Sequence, residues 1–190
     1  MNPVVTIVSG LPRSGTSMMM KMLGAGGKLL MSDGIRKPDE DNPGGYFEFE
    51  KVKKLSEEKT WLNQAGGKAV KVVSRLLYEL PVDKTYQVIF MQRNLDEVLA
   101  SQAQMLRRLG RPAGDVGDRE MRDLFNGHLR DVENWLIQQE FFSLIQVSYN
   151  QILKDPLGQS IAIKQFLGEE LDAEKMAAVV DDGLYRQRTP

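Results

Sequence analysis

The sequence has no cysteine and only one histidine, His128. The first absence excludes a disulfide framework, a thiolate zinc site and a cysteine nucleophile. The second excludes a histidine-cluster metal site and any chemistry that needs two imidazoles. An excess of charge of one sign is missing too: 25 Lys and Arg stand against 26 Asp and Glu, a formal net charge of −1. So balanced a chain does not coat nucleic acid or an anionic membrane by bulk charge, although a local basic pocket stays open to it. No apolar run approaches membrane-spanning length, and the stretch at residues 18–23 is interrupted by Lys21. Residues 3–9 are too short for a secretion signal and lack its basic lead-in, so the cytoplasm is the expected compartment. Neither nucleic acid nor membrane is an expected partner, and oligomeric state is left open.

What is present alternates between strand-like and helix-like periods. A chain of 190 residues fits one domain, expected over residues 1–190, with enough length to bury a core. Residues 4–8 form a short β-branched run bounded by Gly10, which reads as a buried strand. Residues 15–25 read as a helix stopped by Gly26-Gly27, and residues 48–62 as a second helix rich in Lys and Glu. Strands are expected at residues 69–74 and 86–92. A helix follows at residues 94–109, with Asn94 as N-cap and Glu97 as its partner three residues on. A long helix at residues 119–138 shows apolar residues at helical spacing, residues 142–149 read as another strand, and helices close the chain from about Leu157. Strands alternating with helices imply an α/β fold: a mainly parallel sheet covered by helices on both faces. Residues 32–46 break the rhythm with SDGIRKPDEDNPGGY, a stretch that reads equally as a binding loop or lid and as a surface excursion.

The strongest signal is GLPRSGTS at residues 10–17, between the first strand and the first helix. Such a turn points backbone N–H groups and the positive end of a helix dipole at one spot, which is an anion site. Its glycines let the main chain approach a phosphate, and Ser14, Thr16 and Ser17 add hydroxyl donors. The spacing of Gly10 and Gly15 matches the nucleoside-triphosphatase loop, but that loop continues with Lys where this chain has Thr16. Here the cation stands inside the loop as Arg13. The expected strands end in Val73-Ser74, Gln92-Arg93 and Ser148-Tyr149-Asn150, none of them an acid that would hold magnesium.

Pro12-Arg-Ser-Gly-Thr-Ser17 resembles the 5′-phosphosulfate loop of the sulfotransferases that use 3′-phosphoadenosine 5′-phosphosulfate (PAPS). A second signature of that family is an Arg at a strand end with a Ser eight residues on, here Arg93 and Ser101. The resemblance implies that those two hold the 3′-phosphate and that Pro12, Arg13, Ser14, Gly15, Thr16 and Ser17 hold the 5′-phosphosulfate. It also implies a P-loop-like α/β fold and in-line transfer of a sulfuryl group from PAPS to a hydroxyl or amine, leaving 3′,5′-adenosine bisphosphate (PAP) and requiring no metal. Tyr149 stands where the family places a Tyr near the nucleotide, although Asn150 replaces the acid that follows it. Arg186 and Arg188 lie in a tail where relatives often send a basic residue back to the nucleotide.

In this reading Arg13 stabilises the leaving phosphate oxygen. The acceptor, a small molecule or peptide, needs a base. Many small-molecule sulfotransferases place a His on the strand after the lid region. Here the strand carries Lys71 and no His, and His128 fits a packing face in the middle of a helix. Asp33-Gly-Ile-Arg36 is similar to the Glu-Glu-Thr-Arg of tyrosylprotein-type members, which makes Asp33 the candidate base, with Glu40, Asp41 and Glu48 as rivals. Lys71 reads either as a stabiliser of the transferring sulfuryl group or as a strand Lys that reaches out to solvent. Acceptor recognition is expected from residues 32–46, residues 106–117 and the tail. Two readings of other classes stand beside this one: a small-molecule kinase with a degenerate loop, and a non-catalytic nucleotide-binding module.

Overall fold

The computed structural model describes residues 3–111, 117–181 and 183; Arg186 and Arg188 lie outside them. Five parallel strands form one sheet in the order β2-β3-β1-β4-β5, with β1 at Val5–Gly10, β2 at Leu30–Met31, β3 at Ala69–Lys71, β4 at Tyr86–Gln92 and β5 at Phe142–Ser148. The helices are α1 (Thr16–Ala25), α2 (Leu95–Arg108), α3 (Asp118–Ile137), α4 (Tyr149–Lys154), α5 (Pro156–Leu167) and α6 (Ala173–Ala178). A parallel sheet needs cover on both faces, and the core divides accordingly. Ile7, Val70, Val88 and Phe90 point to one side, where Leu55, Leu62, Leu77, Val132 and Leu136 meet them. Val8, Ala69, Ile89 and Met91 point to the other, against Met19, Met20, Met22 and Leu23 of α1 and Ile163 of α5. Four fully buried apolar side chains on so short a helix explain why α1 is pinned behind the loop that precedes it; each such burial contributes about 1.5–3 kcal/mol.

Several elements differ from the sequence expectation. Residues 48–62 are not one helix but two 3-10 turns, Glu50–Lys54 and Thr60–Gln64. The apolar residues there do not keep a helical stripe: Val52 and Leu55 are separated from Trp61 and Leu62 by the polar run Glu57-Glu58-Lys59, and the chain turns twice to bury both pairs on one face. The strand expected at residues 69–74 stops at Lys71, and Ser74–Glu79 forms another 3-10 turn. Tyr149 begins a helix rather than ending a strand, because Ser148 caps it by accepting from the Gln151 N–H. Asn94 caps α2 as expected, accepting from the Asp96 N–H at 2.9 Å.

Chain order explains where the crevice of the sheet lies. From β1 the chain runs to β2 and β3 on one side, then crosses to β4 and β5 on the other, so the connections diverge at the carboxyl edge of β1. In open α/β sheets that divergence leaves a crevice for ligands.

Candidate active site

The crevice contains the loop between β1 and α1. Gly10 has φ +144 and Gly15 φ +99, and both are also crowded: a Cβ on Gly10 would lie 2.6 Å from the Met91 carbonyl oxygen, and one on Gly15 would lie 2.4 Å from Tyr149 Cδ2. Only glycine meets both demands. Between them Arg13 adopts φ 73, a left-handed conformation that costs a non-glycine residue about 1–3 kcal/mol and that the surroundings must hold in place. Its Nε donates to Ser101 Oγ at 2.9 Å and its Nη2 to the Asp41 carbonyl at 3.0 Å.

A cleft of about 520 Å³ opens over this loop. Pro12, Arg13, Gly15, Thr16 and Ser17 line it from the loop, and Lys71, Arg93, Ser101 and Tyr149 from β3, the end of β4, α2 and the start of α4. Residues more than a hundred positions apart in the sequence thus share one wall. Arg93 lies with its guanidinium carbon 4.5 Å over the Tyr149 ring, a cation–π arrangement. Burial pushes the Tyr149 hydroxyl up in pKa, against the pull of Arg93, so the ring stays neutral. Arg93 also donates from Nη1 to the Arg13 carbonyl at 3.2 Å and from Nε to Glu97 at 2.9 Å.

Two residues expected at the site do not line the main cleft. Ser14 is buried beneath the loop, its N–H donates to the Leu11 carbonyl at 3.2 Å, and it lines a separate cavity of about 340 Å³ rather than the main cleft. Asp33 lies outside the lining of the cleft. Its carboxylate accepts from the Ile35 N–H at 3.0 Å and the Glu50 N–H at 2.6 Å. Slight burial opposes its charge, but those N–H bonds prevail and hold its pKa below the usual value. Asp33 therefore pins the turn leading into the first 3-10 segment.

Of the acids that line the cleft, Asp41, Glu48 and Asp181, the one beside Lys71 is Glu48. Arg36 holds its Oε1 at 2.9 Å and Lys71 Nζ stands 3.7 Å from the same oxygen, while Lys53 approaches its Oε2 at 3.8 Å. Lys71 does not reach out to solvent: its side chain is only 10% exposed, and its ammonium donates to the Tyr46 carbonyl and to Ser17 Oγ at 3.3 Å. Burial pushes its pKa down to about 8, with Glu48 pulling the other way and Arg36 and Arg13 adding to the drop.

Residues 32–46 form one wall of the cleft. Arg36, Asp41, Asn42, Pro43, Gly44 and Tyr46 all line the cleft, and Asp41 pairs with Arg108 of α2 at 2.6 Å. Arg36 stacks over the Tyr46 ring at 3.4 Å, and the Tyr46 hydroxyl donates to Asp39. The cleft lining also takes in the apolar Phe49, Val52, Val73, Leu76 and Leu109, with Lys53 among them. His128 stands apart from the cleft, its Nε2 2.8 Å from Ser74 Oγ; burial and the charge of Arg75 lower its pKa.

A loop crowded by its glycines at the carboxyl edge of an open parallel sheet, with two arginines beside it, suits a phosphate-bearing ligand. The family profile described as "Sulfotransferase domain" matches residues 4–186, and the chain belongs to the sulfotransferase family. It is a transferase whose family draws its sulfuryl group from PAPS. No curated protein matches the chain in sequence. Solved structures share its fold. A sulfotransferase domain from the curacin biosynthetic pathway is 15% identical with TM-score 0.57, the alignment covering 99% of this chain and 92% of that one. A Mycobacterium tuberculosis sulfotransferase is 18% identical with TM-score 0.57, over 94% and 71%. A retinol dehydratase solved with retinol and PAP is 16% identical with TM-score 0.51, over 98% and 70%. Among the described residues no helix is long and apolar enough to cross a membrane.

Proposed function

We propose that this sulfotransferase binds PAPS along the loop of residues 12–17, with Arg93 and Ser101 on the 3′-phosphate, and passes the sulfuryl group to a hydroxyl on an apolar small molecule. The observation that carries the reading is the convergence of Arg13, Arg93, Ser101 and Lys71 on one loop whose glycines leave no room for a side chain. These residues suit the donor: its 5′ end would meet the start of α1 and its 3′-phosphate the two-pronged guanidinium of Arg93. When bound, the donor supplies the activated sulfuryl group.

The chain's own side chains supply the rest. Arg13 and the helix start neutralise charge on the departing phosphate oxygen, Lys71 does so for the sulfuryl oxygens, and both are fixed in advance of the reaction. Glu48 takes the proton of the acceptor hydroxyl, because it is the acid beside Lys71 inside the cleft. Asp33, committed to two backbone N–H groups, is instead a structural anchor. The acceptor body lies against Phe49, Val52, Val73 and Leu76, which favours an apolar alcohol over a peptide.

The test is thermal melting with adenosine 3′,5′-bisphosphate against ATP with magnesium. At about 100 times its dissociation constant a ligand stabilises by roughly 2.7 kcal/mol, a shift of about 5–10 °C at this size. The bisphosphate should shift the melt and Arg93→Ala should abolish the response. Stabilisation by magnesium ATP alone would overturn the donor assignment.

A further inference from the structure

Glu97 is only 1% exposed, and nothing in sulfuryl transfer asks for an acid at that place. A buried carboxylate persists only where partners compensate for lost water. Two of its partners, Arg93 and Asn150, stand at the donor site. Glu97 Oε2 accepts from Arg93 Nε at 2.9 Å, and Glu97 Oε1 accepts from Asn150 Nδ2 at 3.3 Å. Asn150 follows Tyr149, whose ring forms the floor under the Arg93 guanidinium. An amide can donate to Glu97 where an ionised acid could not, which accounts for the Asn at this position.

A guanidinium is planar, with the Nε–H on one edge and the terminal nitrogens on the others. Engaging Nε with Glu97 while stacking the plane on Tyr149 fixes both the tilt and the rotation of the group. One terminal nitrogen, Nη1, then reaches the carbonyl of Arg13 at 3.2 Å, in the loop residue with φ 73. Spacing on α2 completes the arrangement. Glu97 and Ser101 lie four residues apart on α2: Glu97 holds Arg93, which precedes the helix, and one turn later Ser101 accepts from Arg13. One stripe of one helix thus orients both arginines.

We infer that Glu97, supported by Asn150, is a positioning residue that holds Arg93 in the orientation that reads a 3′-phosphate and couples that reading to the loop at Arg13. This inference rests on the donor site proposed above. It predicts that Glu97 governs discrimination between donor-like nucleotides with and without a 3′-phosphate, although Glu97 touches neither.

The experiment measures binding of adenosine 3′,5′-bisphosphate and adenosine 5′-phosphate to the full chain and takes the ratio of affinities. In Glu97→Ala the ratio should fall about tenfold or more, with a smaller loss for the 5′-phosphate. Glu97→Gln, which keeps an acceptor for Arg93 Nε and the shape of the side chain, should recover part of the ratio. Adding Arg93→Ala to Glu97→Ala should lower the ratio little further, because the two act as one unit. An unchanged ratio in Glu97→Gln and Glu97→Ala, or fully additive losses in the double variant, would overturn the inference. Poor folding of Glu97→Ala leaves Glu97→Gln against Arg93→Ala, where a Gln variant with wild-type discrimination at pH 6–9 and no loss on Asn150→Ala overturns it equally. A wild-type protein that does not discriminate between the nucleotides points elsewhere, to failure of the donor assignment itself.

Discussion

Lys71 and Arg36 converge on the same oxygen of Glu48, the ammonium at 3.7 Å and the guanidinium at 2.9 Å. The candidate base therefore sits among cations that also suit a sulfuryl group. Lys71 answers to two opposing influences: burial and neighbouring arginines disfavour its charge, while Glu48 favours it, and its pKa falls to about 8.

A pH dependence follows with a definite sign. If the Lys71 charge assists transfer, kcat/KM for the donor falls as pH rises through about 8, because that parameter reports the free enzyme. Lys71→Arg should remove this limb, since a guanidinium stays charged, and Lys71→Met should lower kcat by about 10²–10³ at every pH. Stability moves the other way. The folded-state pKa lies below the ordinary 10.5, so between about 8 and 10.5 the unfolded chain binds more protons and folding gains as pH rises. Below about 8 the whole cost of burying the ammonium is present. Rate profiles and melts across pH 7–10.5, on wild type and Lys71→Met, check both signs.

The base assignment separates two acids that lie fifteen positions apart. Glu48→Gln should lower kcat by about 10²–10⁴ and leave adenosine 3′,5′-bisphosphate binding near the wild-type value. Asp33→Asn should keep most of kcat and lose only about 0.5–1.5 kcal/mol of stability, as exposed N–H groups from Ile35 and Glu50 trade a charged acceptor for an amide oxygen. Steady-state kinetics beside denaturant melts distinguishes them. A large kcat loss in Asp33→Asn with intact Glu48→Gln activity would reverse the assignment.

How much of this was legible in the sequence depended on whether the cause was local. The continuous run at Tyr86–Gln92 and the stripes of α2 and α3 announce themselves through burial periodicity, and their bounds agree with the structure. Loop residues Gly10, Arg13 and Gly15 were readable because the phosphate turn is a local object. Glu48 was legible only as one of three rivals to Asp33, and Glu97 only as a capping partner of Asn94. An acid acquires meaning from its neighbours in space, and Glu97 reads as a helix-start residue until Arg93 and Asn150 are seen around it. β2, with two residues, carries too little pattern to register. Residues 50–64 contain good helix formers, yet the sheet face they cover dictates tight turns.

Arg108 and Asp41 hold residues 32–46 against α2 through a 2.6 Å ion pair, and the neighbouring carbonyl of Asp41 engages Arg13. A partly exposed pair contributes little to global stability, about 0–1 kcal/mol, so its importance should appear in loop behaviour instead. Arg108→Ala should leave the melting temperature within a few degrees, raise the rate of protease cutting in residues 32–46, and speed release of adenosine 3′,5′-bisphosphate several-fold. Stopped-flow displacement and limited proteolysis measure these effects. Unchanged release in a variant that is cut faster would separate loop closure from nucleotide retention.

Gly15 and Tyr149 offer the sharpest test of the loop. A methyl group on Gly15 would meet Tyr149 Cδ2 at 2.4 Å, and the residue also carries φ +99. Two penalties are therefore superimposed in Gly15→Ala: a steric clash, relieved by shrinking Tyr149, and a backbone strain of about 1–3 kcal/mol, which is not. Gly15→Ala alone should lose stability and show no melt shift with adenosine 3′,5′-bisphosphate. Tyr149→Leu alone removes the floor beneath Arg93 and should weaken that shift without abolishing it. In the double variant stability should rise above that of Gly15→Ala, so that the two changes are less than additive, while binding stays below that of Tyr149→Leu because the strained turn remains. Full recovery of binding would mean that only the clash constrains position 15. Strict additivity would mean that loop and ring are not in contact in solution, and the geometry of the whole donor wall would need revision.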